Sequence, residues 1–238
     1  MLPRFYQAQV NIKNDRLTIN DRQIVYQLTK ILHLKKDDLF IIFTPQAEYQ
    51  LALIQTDGKT VQTAVIETSK PSREPKKKLT LYQSLLKKDK FEWILQKAVE
   101  LGVQTVVPVV SDNSIVREIS ANKQGRYQKI IQEATEQCGG LNLCHLEKTV
   151  DFSQAVSQAA KNPGQKIIAW EGEGKNKLAG IIDPQISEYH LFIGPEGGFS
   201  PQEIDLAKTN NIQIVSLGKR ILRAETAAIA ALAVILLS

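Results

Sequence analysis

Two segments of this chain combine glycines, apolar residues and charges in a pattern that could do chemistry. The first is LFIGPEGGFSPQE, residues 191–203, in which an apolar run precedes three glycines and Glu196. The second is LGKRILRAETAAIAAL, residues 217–232, in which Arg223 and Glu225 precede an apolar run. The first segment allows three interpretations, namely a phosphate-binding loop, a catalytic loop around Glu196, or a tight turn before a helix.

The composition of the first loop argues against phosphate. A phosphate-binding loop offers backbone N–H groups and a Lys or Arg, whereas Pro195 has no N–H and Glu196 adds negative charge. A neutral or cationic ligand fits better, and the glycines allow it to approach the backbone closely. Ser200, Pro201 and Glu203 predict a helix start with a capping box. A purely structural turn therefore remains an alternative interpretation of this loop.

Arg223 and Glu225 stand where the second loop enters a helix that is apolar on nearly every face. This pattern predicts a helix that is buried inside the fold. A charged pair at its start can do chemistry or can simply form an ion pair, and both interpretations stay open. His33, His145 and His190 lie in unrelated contexts, so no histidine base and no metal ligand are predicted.

The N-terminal part of the chain predicts a small β-barrel or sandwich. Its strands are predicted as AQVNI, RLTIN, DLFIIF, EYQLALIQ and TVQTAVIE, with a turn at Asp57 and Gly58. One helix is predicted near residues 22–34. The segment SKPSREPKKK has two prolines and no apolar side chain, which predicts a solvated linker. The predicted domains are therefore residues 1–70 and 79–238, joined by a linker at 71–78.

Beyond Leu79 the sequence predicts strands that alternate with helices. The predicted strands are LTLYQSL, TVVPVV, KIIAW, HLFI and IQIVSL. One helix is predicted to start with Asp89 as its cap and to end at Gly102. Two more are predicted at Arg126–Cys138 and Pro201–Lys208. The fold class is thus α/β with a largely parallel sheet that is covered on both faces. The first loop starts where the strand HLFI ends, at the edge where such sheets bind ligands.

The charge and cysteine content limit the classes of function. The chain has 30 Lys and Arg against 25 Asp and Glu, a net charge of +5 that favours polyanions such as RNA. Cys138 and Cys144 form no CxxC motif, so we expect no metal site and a reduced, cytoplasmic protein. No apolar run reaches the roughly 20 residues of a membrane span, so no membrane partner is expected.

Four motifs in their order resemble the RsmE family of SPOUT-class RNA methyltransferases. They are KFEWILQKAVELGV, RYQKIIQEATEQCG, FIGPEGGFSPQE and VSLGKRILRAETAAIAAL, with PRFY near the start. The resemblance implies an N-terminal PUA-like β-barrel that binds RNA and a C-terminal α/β domain with a trefoil knot. It also implies a homodimer that uses S-adenosylmethionine to methylate N3 of a uridine in 16S ribosomal RNA of the small ribosomal subunit. Because knots are very rare, only the resemblance predicts one.

The resemblance also assigns site residues. Cofactor-binding residues are predicted in both loops, at Ile193, Gly194, Glu196, Gly197, Gly198, Leu217, Gly218, Ile221, Leu222 and Thr226. Arg223 is predicted to stabilise charge on a uracil oxygen, and Glu225 to act as the base or to hold Arg223 in place. RNA contacts are predicted at Arg4, Lys88, Lys90, Lys97 and Arg126.

The sequence departs from the family pattern at four positions. His33, Asn113 and Gly140 stand where arginine is frequent, and Cys144 stands where proline is usual. All four lie outside the cofactor loops, so we expect them to affect RNA binding and not methyl-donor binding. Two alternative functions remain, which are methylation of another rRNA base or position, and a non-catalytic RNA-binding assembly factor. The intact glycine loops favour an enzyme.

Overall fold

The computed structural model describes residues 2–71 and 73–237, and the chain forms two compact units. The first comprises Met1–Glu74 and Glu136–Asn142, and the second comprises Pro75–Thr135 and Leu143–Ser238. Each unit has its own sheet, six-stranded in the first and seven-stranded in the second. No helix in the described parts of the chain is both long and apolar enough to cross a membrane.

The first unit is built on one sheet of short strands. The strands are β1 (Arg4–Tyr6), β2 (Ile12–Lys13), β3 (Arg16–Ile19), β4 (Leu39–Phe43), β5 (Glu48–Thr56) and β6 (Val61–Ser69). They pair in the order β1-β4-β5-β6-β3-β2, antiparallel except for β1 beside β4. The predicted strand AQVNI is reduced to β2, and β1 was not predicted because three residues are too few to show an alternation. The predicted turn is confirmed, since Asp57 accepts bonds from the N–H groups of Lys59 and Thr60.

The predicted helix at residues 22–34 is shorter than expected. Asp21 accepts hydrogen bonds from two backbone N–H groups and thereby starts helix α1 (Arg22–Tyr26). A π-helical turn, Gln27–Ile31, follows it. His33 then has φ +50, a left-handed conformation that cannot continue a right-handed helix.

The second unit contains an all-parallel sheet. Its strands are β7 (Lys78–Ser84), β8 (Thr105–Val110), β9 (His145–Leu146), β10 (Val150–Asp151), β11 (Gln165–Ala169), β12 (Glu188–Ile193) and β13 (Gln213–Val215). They pair in the order β10-β8-β7-β12-β11-β13, with β9 beside β8. Every pairing is parallel, which confirms the predicted fold class for this unit.

Helices cover both faces of this sheet. They are α2 (Lys90–Glu100), α3 (Ala121–Cys138), α4 (Phe152–Lys161), α5 (Pro201–Thr209) and α6 (Ala224–Leu236). Buried residues of α2, α3 and α6 share one apolar cluster with alternate strand residues, and those of α4 and α5 share a second cluster. The predicted double cover is therefore confirmed, although α4 was not predicted.

Helix α2 lies close to its predicted bounds. Asp89 occupies the N-cap position, but its side chain makes no capping bond, contrary to the prediction. Gly102 has φ +86, and the N–H groups of Gly102 and Val103 bond carbonyls in the last turn at 2.9 Å. This arrangement is a Schellman motif, which favours glycine, so the predicted stop is confirmed.

Helix α6 is less completely buried than its composition predicts. Its inner face, which includes Ala228, Leu232 and Ile235, is fully buried. Val234, however, is 36% exposed, and Leu237 at the C-cap is 72% exposed. One side of this apolar helix therefore faces outward in the single chain.

Part of the segment predicted as a solvated linker is folded. Strand β7 begins at Lys78, and the Lys77 ammonium lies over the Tyr189 ring at 5.7 Å from its centre. Within the first unit, Arg73 donates to Glu48 at 2.8 Å. Long basic side chains thus find partners here even though the segment lacks apolar residues.

Glu48 is the buried anion of the first unit. It is 5% exposed, and its carboxylate accepts hydrogen bonds from Arg73 and from Arg4, which is itself 8% exposed. The Arg4 guanidinium also donates to the carbonyls of Glu136 and Gly140, both at 3.2 Å. Arg4 is therefore fixed inside this unit.

We expect Glu48→Gln to destabilise the first unit by about 3 kcal/mol, because it leaves a buried arginine without its counter-charge. Amides of β4 to β6 should then exchange with deuterium up to about 100-fold faster, as measured by mass spectrometry. Glu67→Gln, an exposed change on the same sheet, is the matched control. Equal exchange in the two variants would contradict a stabilising role for this ion pair.

Candidate functional site

A cavity of about 400 Å³ lies in the second unit, at the carboxyl ends of three neighbouring strands. Its walls are residues 169–171 at the end of β11, residues 193–199 at the end of β12, and residues 216–224 after β13, together with Lys90 and Ala227. Because parallel strands end at the same edge of a sheet, these three loops meet although they are far apart in the sequence.

The glycines of the first loop are required by close packing. Gly198 has φ +68, and a Cβ atom there would lie 2.2 Å from a carboxylate oxygen of Glu171. A Cβ atom at Gly197 would lie 3.1 Å from the Asn113 side chain. Any larger residue would push these neighbours away, so the loop geometry depends on glycine.

Helix α5 fixes the end of this loop, as predicted. Ser200 Oγ accepts from the Glu203 N–H at 3.2 Å, and Glu203 Oε2 accepts from the Ser200 N–H at 2.9 Å, which confirms the capping box. The other Glu203 oxygen accepts from the Asp112 N–H at 3.0 Å. Burial raises the pKa of Glu203 against the lowering effect of these bonds. Ser200 also donates to the Asp112 carboxylate at 2.6 Å, so the loop after β8 supports the first loop.

Asn113 holds the first loop directly. Its side-chain amide donates to the carbonyls of Gly197 and Gly198, both at 3.1 Å. This contact was not predicted, and the expectation that Asn113 does not affect methyl-donor binding stays a prediction. The signal was present, because residues 111–114 follow strand β8 at the same edge of the sheet.

The second loop presents exposed side chains to the cavity. Gly218 has φ +131, and the Ser216 hydroxyl bonds its carbonyl at 3.1 Å. Ile221 is 85% exposed although it is apolar. Arg223 is the N-cap residue of α6 and is exposed. A ligand in the cavity can therefore meet both apolar and cationic groups on this wall.

Lys90 links the two walls of the cavity. Its ammonium lies 3.1 Å from Glu196 Oε1 and 4.0 Å from Glu225 Oε2. Burial tends to raise the pKa of Glu196, but hydrogen bonds from its own N–H, from Lys90 and from the Lys87 N–H outweigh this and lower the pKa. The cation beside Glu225 is thus Lys90, and no ion pair joins Glu225 to Arg223 in the described residues.

The structure brings most of the predicted cofactor residues around this one cavity. Those that line it are Ile193, Gly194, Glu196, Gly197, Gly198, Leu217, Gly218, Ile221 and Leu222. Arg223 also lines it, whereas Thr226 and Glu225 lie in the first turn of α6 outside the lining. Glu171, next to Trp170, also contributes to the wall, although it was not predicted as a site residue. Its position directly after the strand KIIAW was the signal that could have identified it.

The five residues predicted to contact RNA differ in their burial and in their ion pairs. Arg4 is buried against Glu48, so the structure places it inside the first unit and not on a surface that RNA can reach. Lys97 pairs with Glu100 at 2.7 Å, and Arg126 pairs with Glu92 at 2.8 Å. Lys90 pairs with Glu196 as described above, and Lys88 is exposed. Spacing in the sequence is consistent with the Lys97–Glu100 pair, which lies three residues apart on one helix, but it could not show the long-range partners of Lys90 and Arg126.

Known proteins resemble this chain along most of its length. A family model described as an RNA methyltransferase domain matches residues 72–236. The ribosomal RNA small subunit methyltransferase E of Mesomycoplasma hyopneumoniae (strain 232) is 33% identical over 225 residues, which cover 90% of this chain and 95% of that protein. The protein of the same name from Synechocystis sp. is 31% identical, over 98% of this chain and 77% of that protein.

A solved structure agrees with these sequence matches. The ribosomal RNA small subunit methyltransferase E from Neisseria gonorrhoeae, solved bound to S-adenosyl methionine, superposes with a TM-score of 0.86. It is 30% identical, and the match covers 98% of this chain and 96% of that one. The two chains therefore share their fold over nearly their full lengths.

We expect Asn113→Asp to loosen the loop at residues 194–199, because a carboxylate repels the two carbonyls that the amide now holds. Loss of about 1 kcal/mol of hydrogen bonding corresponds to roughly fivefold faster deuterium exchange in this loop. Asn122→Asp makes the same change on α3, where the side chain has no hydrogen bond among the described residues. The idea fails if both variants exchange at the wild-type rate.

Proposed function

We propose a specific reaction for this chain, which belongs to the RsmE family of RNA methyltransferases: transfer of a methyl group from S-adenosylmethionine to N3 of a uridine in 16S ribosomal RNA. The observation that carries the proposal is that both glycine loops line one cavity. The names of the relatives and the ligand in the Neisseria gonorrhoeae structure support this reaction.

The cavity suits the methyl donor in size and in chemistry. A volume of about 400 Å³ lies within the usual range for small-molecule sites. Glycines at 197 and 198 keep the loop backbone in its place beside the cavity, because a Cβ atom at either position would press on Asn113 or Glu171. Glu171, which has no ion pair among the described residues, places a carboxylate in the wall, and this suits a positively charged sulfonium better than a phosphate. We infer that the nine lining residues predicted above hold the cofactor, Ile221 through its backbone because its side chain is 85% exposed, and that Thr226 does not.

Removal of the N3 proton falls to the residues around the cavity. S-adenosylmethionine supplies the methyl group, and uridine N3 carries a proton near neutral pH that must leave as the new bond forms. Oε2 of Glu225 is buried and has no hydrogen-bond partner in the described residues. In this proposal it accepts the N3 proton, the electron pair of that N–H bond forms the bond to the methyl carbon, and the methyl–sulfur bond of the donor breaks with its electron pair left on sulfur. Lys90, at 4.0 Å, orients the carboxylate.

Arg223 has a separate role in this proposal. It lines the cavity, is exposed, and pairs with no carboxylate in the described parts of the chain. Its guanidinium is therefore free to stabilise negative charge that develops on a uracil oxygen. Since Glu225 faces Lys90, holding Arg223 in place is no longer the role that we assign to Glu225.

The finer features of the family are also proposals for this chain. They are a PUA-like barrel that contacts RNA in residues 1–70, a linker at 71–78, and a SPOUT domain with a trefoil knot in residues 79–238. The six-stranded sheet of the first unit and the parallel sheet of the second support them. A reaction on ribosomal RNA also favours the cytoplasm as its location.

A homodimer is supported by exposed apolar residues on two helices of the second unit. Trp93 on α2 and Val234 on α6 are partly exposed, and Leu237 is largely exposed. Helices α2 and α6 pack against each other. A second copy of the chain that covers these side chains would remove apolar surface from water, which is favourable.

We expect the protein to form N3-methyluridine in small ribosomal subunits from a strain that lacks this modification, as detected by nucleoside analysis. Arg223→Ala should lower the single-turnover rate about 100-fold, because a group that stabilises developing charge is lost. Calorimetry with S-adenosylhomocysteine should show unchanged binding to this variant.

Each possible result distinguishes the proposed function from one alternative. Methylation of another base would replace the proposed target, and absence of S-adenosylhomocysteine binding to the wild type would favour a non-catalytic assembly factor. A near wild-type rate for Arg223→Ala would remove Arg223 from the mechanism.

We expect Val234→Lys to shift the protein from dimer to monomer, because a buried charge opposes association. Light scattering after size-exclusion chromatography measures the mass. Ile66→Lys makes the same change at an exposed apolar residue of the first unit and should leave the mass unchanged. A dimer that persists in Val234→Lys would place the interface elsewhere.

A further inference from the structure

Three cations lie within five residues of each other in the loop that forms one wall of the cavity. They are Lys219, Arg220 and Arg223, and all three are exposed. Within the described residues, none of them has a carboxylate within ion-pair distance.

Three other cations of the same unit, which were predicted to contact RNA, are already neutralised. Lys90, Lys97 and Arg126 lie within 3.1 Å of the carboxylates of Glu196, Glu100 and Glu92 respectively. An RNA phosphate at these positions would have to displace a carboxylate that is already in place. The loop cations require no such displacement, so they are better sites for an incoming anion.

The charges that line the cavity also favour an anion near the loop after β13. Four cations and two carboxylates line it, and Lys90 already neutralises Glu196. The remaining carboxylate, Glu171, follows β11, whereas the unpaired cations all follow β13. The wall after β13 therefore attracts an anion, whereas the wall after β11 does not.

An apolar side chain lies between these cations. Ile221 is 85% exposed, so a ligand that crosses this loop would cover it. Cations that bind phosphate often alternate with apolar surfaces that bind a base or ribose. This alternation is typical of single-stranded nucleic-acid sites.

We propose that Lys219 and Arg220 bind the phosphodiester groups on either side of the target nucleotide, with Ile221 beneath its ribose or its neighbouring base. The inference rests on the proposed function, because it assumes that a base enters the cavity from an RNA strand. An enzyme that acts on a base must take it out of its stack, and contacts to the flanking backbone hold the strand in that state. The two cations thus position RNA without taking part in the methyl transfer.

A competing role for the same cations is binding of the methyl donor's carboxylate. The two roles differ in what they predict. Phosphate contacts make RNA binding depend on salt, because each contact releases counterions, whereas a carboxylate contact changes the affinity for S-adenosylhomocysteine.

The test is the double variant Lys219→Gln/Arg220→Gln in the full chain. We expect the plot of log Kd against log [KCl] for a protein-free 16S rRNA transcript to become shallower by about 1.4 to 1.8 units. KM for the transcript should rise about tenfold at moderate salt, while kcat and the Kd for S-adenosylhomocysteine stay within about twofold.

The matched control is Lys97→Gln/Arg126→Gln, which removes two cations that are paired with carboxylates. Its salt slope should change by less than half as much. An unchanged slope in the loop variant, an equal change in the control, or a loss of S-adenosylhomocysteine binding in the loop variant would each overturn the inference.

Failure of the inference can be told apart from failure of the proposed function. If the wild type forms N3-methyluridine but the loop variant keeps its salt slope, only the inference is overturned. If the wild type neither binds S-adenosylhomocysteine nor methylates RNA, the proposed function is overturned, and the inference, which assumes that reaction, is overturned with it.

Discussion

Parallel pairing of β11 with β12 on one side and β13 on the other is the constraint on which the site depends. Because the three strands run in the same direction, their carboxyl ends lie together, and so do the loops that follow them. The pairing cannot slip by one residue without moving buried side chains such as Ile167 and Leu191 to the opposite face. Apolar helices on both faces therefore hold the cavity in place from a distance.

Ion pairing then decides which charged residues a ligand can meet. Lys90 lies between Glu196 and Glu225, so its charge stabilises the contact between the two walls of the cavity. Arg4 is similarly held by Glu48 within the first unit. The net charge of +5 is compatible with many surfaces, because it does not distinguish a neutralised lysine from a free one. The pairing pattern makes this distinction, and it leaves the loop after β13 as the cationic wall of the cavity.

Much of the fold could be predicted because its signals are local. The alternation of strands and helices beyond Leu79, the Gly102 stop and the Ser200 capping box each depend on residues a few positions apart. Helix α4 was missed although its buried residues recur at helical spacing, because alanines contrast weakly with their polar neighbours. The two loops that line the cavity were singled out because their glycine patterns are specific in combination. Asn113 and Glu171 were missed because each touches the first loop from another strand end.

By itself, the sequence determined the α/β class of the second unit, the two loops at its strand ends, and the start and end of several helices, since these follow from short-range spacing and turn chemistry. Only the tertiary structure decided that Arg4 is buried, that one side of α6 is exposed, and that Lys90 meets a glutamate 106 positions away. Distances between residues so far apart in the chain depend on how the strands pair and the helices pack. Neither the type of a side chain nor its neighbours in the sequence contains that information.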